Sequence, residues 1–442
     1  MTSPTPNPGM NRRRALQLAG LSSVSLSLAA CGKGFGGSGD SGDGKGTVTI
    51  NMAWWGDATR ATKTQAALDV FHRKNPGITV KTEYQDSAPY KDKLATRFAA
   101  GNPPDLMAMR VDSLREYADR GGLVDLTKHA DAVDTSKLDH NVLALATVGD
   151  ANYGVASGLN SIGFVVNKTM TDKYGVAIPD GNTWSWDDLG AFAKELSAKS
   201  KRAVYGTGFD LFTIANLIVF TRQRGEDFYT QDGKLGLSQG TLTAWFDLAE
   251  KMRVEGGYPP AGFWEKIGAS ADQSYIAKGK LASQIIPTNN FLVYQKACGG
   301  NLALLRMPGE STAKRRGQTI DTPMLWSVAA KSKHPTEALK LLNFLLNDAD
   351  GATATGTTRG VPANPDVAQA IKGSLPPDDQ TATSYLAGLQ QLQLSPTYPY
   401  PKGSSSLSAT LETIATEVEF KRQSSTDGAK AFLAAAQKAL GA

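Results

Sequence analysis

Two cysteines in 442 residues cannot build a disulfide framework or a four-thiolate zinc site. His72, His129, His140 and His334 are scattered without metal-ligand spacing, and neither G-x-S-x-G nor H-E-x-x-H occurs. Charge of one sign is scarce too. The balance of 47 Lys and Arg against 42 Asp and Glu leaves +5, with no block of like charges to track a phosphate backbone. These gaps point away from nucleic acid, a metal centre and a marked catalytic motif, and no cofactor is expected. What is present is a chain with 41% hydrophobic residues, enough to bury a core that offsets its ordering entropy. Its length predicts two domains or lobes.

Much of the positive charge sits at the start. Arg12, Arg13 and Arg14 precede a mostly apolar run from Ala15 to Ala30, and no acid occurs before Asp40. Spanning a bilayer takes about 20 apolar residues; this shorter run fits the charged-then-apolar pattern of a secretory signal. Leu28-Ala29-Ala30-Cys31 resembles the bacterial lipobox, which implies cleavage before Cys31 and lipidation of it. Arg12-Arg13-Arg14-Ala15-Leu16-Gln17 resembles a twin-arginine export signal, with Ala15 and Gln17 departing from the commoner residues. Residues 1–30 hold three arginines and no acid, so a chain starting at Cys31 carries only +2. Cys298 then has no intrachain partner and reads as a small, partly buried side chain. The Gly-rich stretch 31–46 reads as a tether. Gly32, Gly34 and Gly37 satisfy G-x-G-x-x-G there, but no strand precedes them, so the match carries no dinucleotide site.

Beyond the tether the pattern alternates between strand and helix. Val48, Ile50 and Met52 alternate as in a strand, and Arg60–Asn75 repeats apolar residues at helical spacing before Pro76-Gly77. Ile78 opens a second strand, Tyr90–Ala100 a second helix, and Leu106–Met109 is a short apolar run. This order predicts an α/β fold with parallel pairing. Ser185 with Asp188 predicts a capped helix, Pro335 starts another, and two helices separated by a Ser424–Gly428 turn close the chain.

Several segments, in order, resemble the extracellular solute-binding proteins of ABC importers, in the family whose best-known members bind sugars. They include Trp54-Trp55-Gly56-Asp57, Asn75-Pro76-Gly77-Ile78, Gly101-Asn102-Pro103-Pro104-Asp105-Leu106, Gly121-Gly122-Leu123, Gly163–Lys168, Thr183–Asp188, Ile276–Ala282, Lys333–Ala338 and Gly360-Val361-Pro362. The resemblance implies a periplasmic-binding-protein-like fold: two α/β lobes around a hinge with an interlobe ligand cleft. It places one lobe at residues 47–157 with 322–357 and the other at 158–321 with 358–442. It also implies a monomeric, non-enzymatic receptor, lipid-anchored outside the cell, that delivers a mono- or oligosaccharide to a membrane permease driven by a cytoplasmic ATPase.

A sugar needs aromatic faces for its C–H surfaces and Asp, Asn, Arg or Glu for its hydroxyls. Trp54 and Trp55 lie just past a strand's carboxyl end, where open α/β sheets hold ligands; burial of both in the core is the alternative. Asp57 is a hydroxyl acceptor or a helix cap. Arg110 and Asp112 follow the third strand as ligand contacts or as an exposed ion pair. Asn160 and Ser161 fall in a crossover, and Asp210 is offered by the second lobe. Many family members place a stacking tryptophan where Asn289, followed by Asn290, stands here, which suggests Trp264 or Trp326 as the aromatic instead. Arg359 can donate two hydrogen bonds to a hydroxyl pair or a carboxylate, and in the cleft it would favour an acidic sugar. Trp184 and Trp186 read as structural, and Trp245 and Tyr275 as core residues on helical faces. Two alternatives remain: the same fold binding a glycerophosphodiester, an oligopeptide-like solute or a polyamine, and a secreted glycoside hydrolase, which needs two carboxylates across a cleft.

Overall fold

The computed structural model describes residues 47–263, 271–392, 394–395, 397–398 and 400–441. The export segment, Cys31 and Trp264 lie outside the described residues. The strands, in chain order, are β1 (Val48–Trp55), β2 (Ile78–Gln85), β3 (Leu106–Met109), β4 (Thr147–Val148), β5 (Ala151–Asn152), β6 (Val155–Ala156), β7 (Ile162–Asn167), β8 (Ser283–Pro287), β9 (Leu302–Leu305) and β10 (Leu325–Val328).

One sheet has the order β2-β1-β3-β10-β6. Its β2, β1 and β3 are parallel because helices 58–74 and 87–99 carry the chain back between them. Asp57 caps the first of these, accepting the Arg60 N–H at 2.8 Å, and Thr64, Ala67, Leu68 and Phe71 turn inward from it. All four residues of β3 are buried, as expected for a strand covered on both faces. The expectation of parallel pairing stops at β10, which runs antiparallel to both β3 and β6. This strand follows β9 without a crossover helix, so it enters the sheet in the opposite direction.

The second sheet, β8-β7-β9, is antiparallel throughout. It packs on a separate core built from Phe164, Trp184, Phe192, Phe209, Trp245 and Phe432, among others. Ser185 and Asp188 form the expected reciprocal cap. The closing helices are Leu407–Glu419 and Ser425–Leu440. The turn expected over Ser424–Gly428 ends earlier, because the Ser424 hydroxyl accepts the Asp427 N–H at 3.1 Å and starts the last helix there. Tyr275 lies in a turn rather than on a helix, its ring centroid 4.4 Å from that of Phe263.

Between the two sheets the chain crosses in strands that lie side by side. Asn160 and Asp321 exchange backbone hydrogen bonds of 2.7 Å, and Leu159 pairs with Val361. The approach is close: a Cβ on Gly158 would stand 2.4 Å from the Arg359 carbonyl oxygen. One on Gly360, whose φ is +98°, would stand 2.3 Å from that of Leu159.

Candidate functional site

Three adjoining cavities, of about 720, 150 and 640 Å³, share residues of one loop, and the second borders the crossing strands at Asn160, Ser161 and Asp321. Thr397 and Tyr398 border the first and second, and Tyr400 borders the second and third. The described residues of this loop include Ser395, Thr397, Tyr398, Tyr400 and Pro401. It is pinned at both ends. Arg222 Nη2 donates to the Ser395 carbonyl at 2.7 Å, and Ser404 Oγ donates to the Asp112 carbonyl at 3.3 Å. The Tyr400 ring packs 5.0 Å from Tyr229, and burial pushes its phenol well above the usual range.

Of the residues expected at the site, Arg110, Asp112, Asn160, Ser161 and Asp210 line these cavities. Arg110 precedes helix 111–119 at the carboxyl end of β3, and its Nη2 lies 2.7 Å from the Asp112 carboxylate, which raises the guanidinium pKa. The two form an ion pair that borders the 640 Å³ cavity. Across from it, Asp210 accepts the Phe212 N–H at 2.7 Å and the Thr213 hydroxyl at 2.6 Å. Burial, assisted by the charge of Glu412, nevertheless moves its carboxyl upward. Asn160 is committed internally: its Oδ1 accepts the Thr288 hydroxyl at 2.7 Å and the Asn289 N–H at 3.0 Å, which fixes the end of β8. Ser161 Oγ donates to the Thr319 carbonyl at 2.8 Å.

The other candidates among the described residues border none of these three cavities. Trp54 is 1% exposed, in contact with Tyr84 and Arg359, and belongs to the core of the first sheet. Trp55 is half-buried, packing 5.6 Å from Tyr90. Trp326 is 3% exposed because β10 is an interior strand. Arg359 is buried between Trp54 and Trp326, so the argument for an acidic sugar loses its residue. Asp57 is spent on its helix cap. Asn289 and Asn290 occupy a short turn after β8 and border none of the three cavities, whereas Pro287, the last residue of β8, borders the second.

Sequence reasoning missed Tyr229, Asp321, Tyr398 and Tyr400. The two late tyrosines had a signal: aromatics alternating with proline must lie on a loop, and loops carry binding residues. Asp321 sits in a crossing strand, where burial lifts its carboxyl to about 6 against the pull of the Thr322 N–H. Among the described residues no His, Cys, Asp and Glu cluster is arranged to hold a metal ion. The site offers tyrosine rings, carboxylates and amides around adjoining cavities, which suits a polar solute held noncovalently.

The pattern that defines bacterial extracellular solute-binding proteins matches residues 55–352. The chain belongs to that family. Among its curated relatives, a binding protein of Brucella abortus (strain 2308) is 24% identical over 304 residues, 68% of this chain and 72% of that one. A lipoprotein of Streptomyces antibioticus is 26% identical over 306 residues, 67% of this chain and 65% of that one. A solved structure of a periplasmic oligogalacturonide-binding protein from Yersinia enterocolitica superposes with a TM-score of 0.78 at 22% identity. That match covers 89% of this chain and 99% of the other, and it extends the two-lobed α/β fold beyond residues 55–352. The family is one of binding proteins rather than enzymes.

Proposed function

We propose that this solute-binding protein captures a carbohydrate in the cleft around Tyr398 and Tyr400 and hands it to a membrane permease driven by a cytoplasmic ATPase. The observation that carries the reading is the placement of Tyr398 and Tyr400. It sets tyrosine rings on three adjoining cavities, beside the Arg110–Asp112 pair, Asp210 and Asp321. Rings stack on the C–H faces of a sugar, and the polar groups replace the water its hydroxyls lose. The Yersinia enterocolitica protein of like fold binds an oligogalacturonide, and combined cavities of this size suit more than one sugar ring. The two lobes would comprise residues 47–157 with 322–357 and 158–321 with 358–442. The protein would act as a monomer tethered outside the cell through lipid on Cys31, after export by the twin-arginine route; the Streptomyces antibioticus relative is named a lipoprotein.

A second reading rests on the acids. Asp112, Asp210 and Glu412 share one cavity with Tyr400, and Asp321 borders the next. Carboxylates interleaved with aromatic rings also suit a polyamine. A thermal-shift screen over neutral sugars, sugar acids, glycerophosphodiesters and polyamines decides between them, since a ligand at about a hundred times its Kd adds about 2.7 kcal/mol of stability. A shift with saccharides supports the proposal; a shift confined to polyamines replaces it.

A further inference from the structure

Within the first core, apart from the cleft, lies a cation with no counter-charge. Arg359 is 5% exposed, and its guanidinium carbon stands 5.6 Å from the Trp54 ring centroid and 5.2 Å from that of Trp326. Nη2 donates to Thr64 Oγ1 at 2.8 Å, and that hydroxyl in turn donates to the Arg60 carbonyl at 2.7 Å. Nε is buried without a hydrogen-bond partner. Among the described residues no carboxylate pairs with Arg359. The charged group that acts on it is a second cation, Arg60, which is itself spent on the carbonyls of Trp55 and Thr358. Burial and that neighbour both lower the pKa of Arg359. Cation–π contacts with two indoles offset part of the lost hydration, but they supply no negative charge.

Beside the guanidinium is a cavity of about 30 Å³, bordered by Arg359, Ser157, Trp326, Thr355 and Gly356. Ser157 Oγ, one residue before Gly158, is a second buried polar atom without a partner. A water needs about 10–15 Å³ of such space, so the cavity has room for about two or three waters or one small anion and none for a sugar acid. Water would satisfy both donors but leave the charge uncompensated, which is the costly arrangement in a low-dielectric interior. A small anion satisfies the donors and the charge together. We propose that this cavity is a monovalent-anion site, filled by chloride from the medium, with Arg359 Nε and Ser157 Oγ as its donors. Its wall includes the segment around Gly360, which packs on Leu159 of the first crossing strand. The anion therefore holds a hinge strand to its lobe without touching the transported solute.

Bromide is the probe. Crystals soaked in sodium bromide should show an anomalous peak within hydrogen-bonding distance of Arg359 Nε and Ser157 Oγ. In solution, Tm should rise and saturate with chloride or bromide when ionic strength is held constant with sodium gluconate, whose anion is too large for the cavity. Ser157→Ala should raise the halide concentration giving half the effect by about tenfold, the loss of one hydrogen bond to an ion. Arg359→Met should abolish both the peak and the halide dependence; if that variant does not fold, Ser157→Ala and the bromide peak still decide. A cavity that keeps water in bromide, or a Tm that follows chloride and gluconate equally, overturns the proposal.

Discussion

A tryptophan just past a strand end reads as a ligand platform, yet Trp54 is held by the stacked Tyr84 ring, 5.9 Å away, and by Arg359. Local sequence cannot distinguish these outcomes, because Arg359 comes from a segment some three hundred positions later that only the fold brings alongside. Trp54→Ala should therefore act as a core truncation and cost about 3–5 kcal/mol, measured as a fall in the urea midpoint; a near-native midpoint would place the indole outside the core. Asp321 makes a prediction of the opposite sign. Its carboxyl is raised to about 6 in the folded protein, above the value of about 3.9 for an unfolded aspartate. The unfolded chain thus gives up the proton first, and stability falls as pH rises from about 4 through 6. Asp321→Asn, which keeps an acceptor for the Thr322 N–H, should raise Tm at pH 7, and the gain should shrink towards zero as the pH drops to 4. A constant difference across that range would show that the charge of Asp321 carries no such cost.

At the scale of elements the sequence is most legible where a signal is local. The Ser185–Asp188 cap, the inward face of helix 58–74 and the buried run of β3 all follow from spacing and polarity within a few residues. The antiparallel entry of β10 is invisible locally, since a four-residue buried strand has no pattern that reports direction. A crossover at Asn160 and Ser161 was legible in the sequence, but the strands it lies against were not. Gly158 has its reason in the Arg359 carbonyl, and Gly158→Ala must push two hinge strands apart, costing about 1–3 kcal/mol. Ser185→Ala, by contrast, removes one reciprocal cap on a surface turn and should cost about 1 kcal/mol. Chemical denaturation of both variants checks the ranking, and a larger loss at Ser185 than at Gly158 would contradict the close approach of the crossing strands.

Two lobes joined by narrow crossing strands can respond to a ligand only if it binds the closed arrangement better than the open one. The candidate site suits that requirement because its groups come from different elements. Arg110 and Asp112 stand at the end of β3 in the first sheet, Asp210 precedes helix 214–223, and Tyr400 belongs to the returning C-terminal segment. That loop is tied through Ser404 to the Asp112 carbonyl and through Arg222 to Ser395, so its tyrosines are already positioned before a solute arrives. Tyr400→Ala should thus weaken binding of the responsive solute by about tenfold or more, equivalent to about 1.4 kcal/mol, while Trp54→Phe should leave affinity within about twofold, a change of under 0.5 kcal/mol. Small-angle X-ray scattering adds the global readout: the wild-type radius of gyration should fall when the solute is added, and the Tyr400→Ala protein should need proportionally more solute for the same contraction. If Tyr400→Ala binds and contracts as the wild type does, the solute lies away from this loop and the cleft assignment fails.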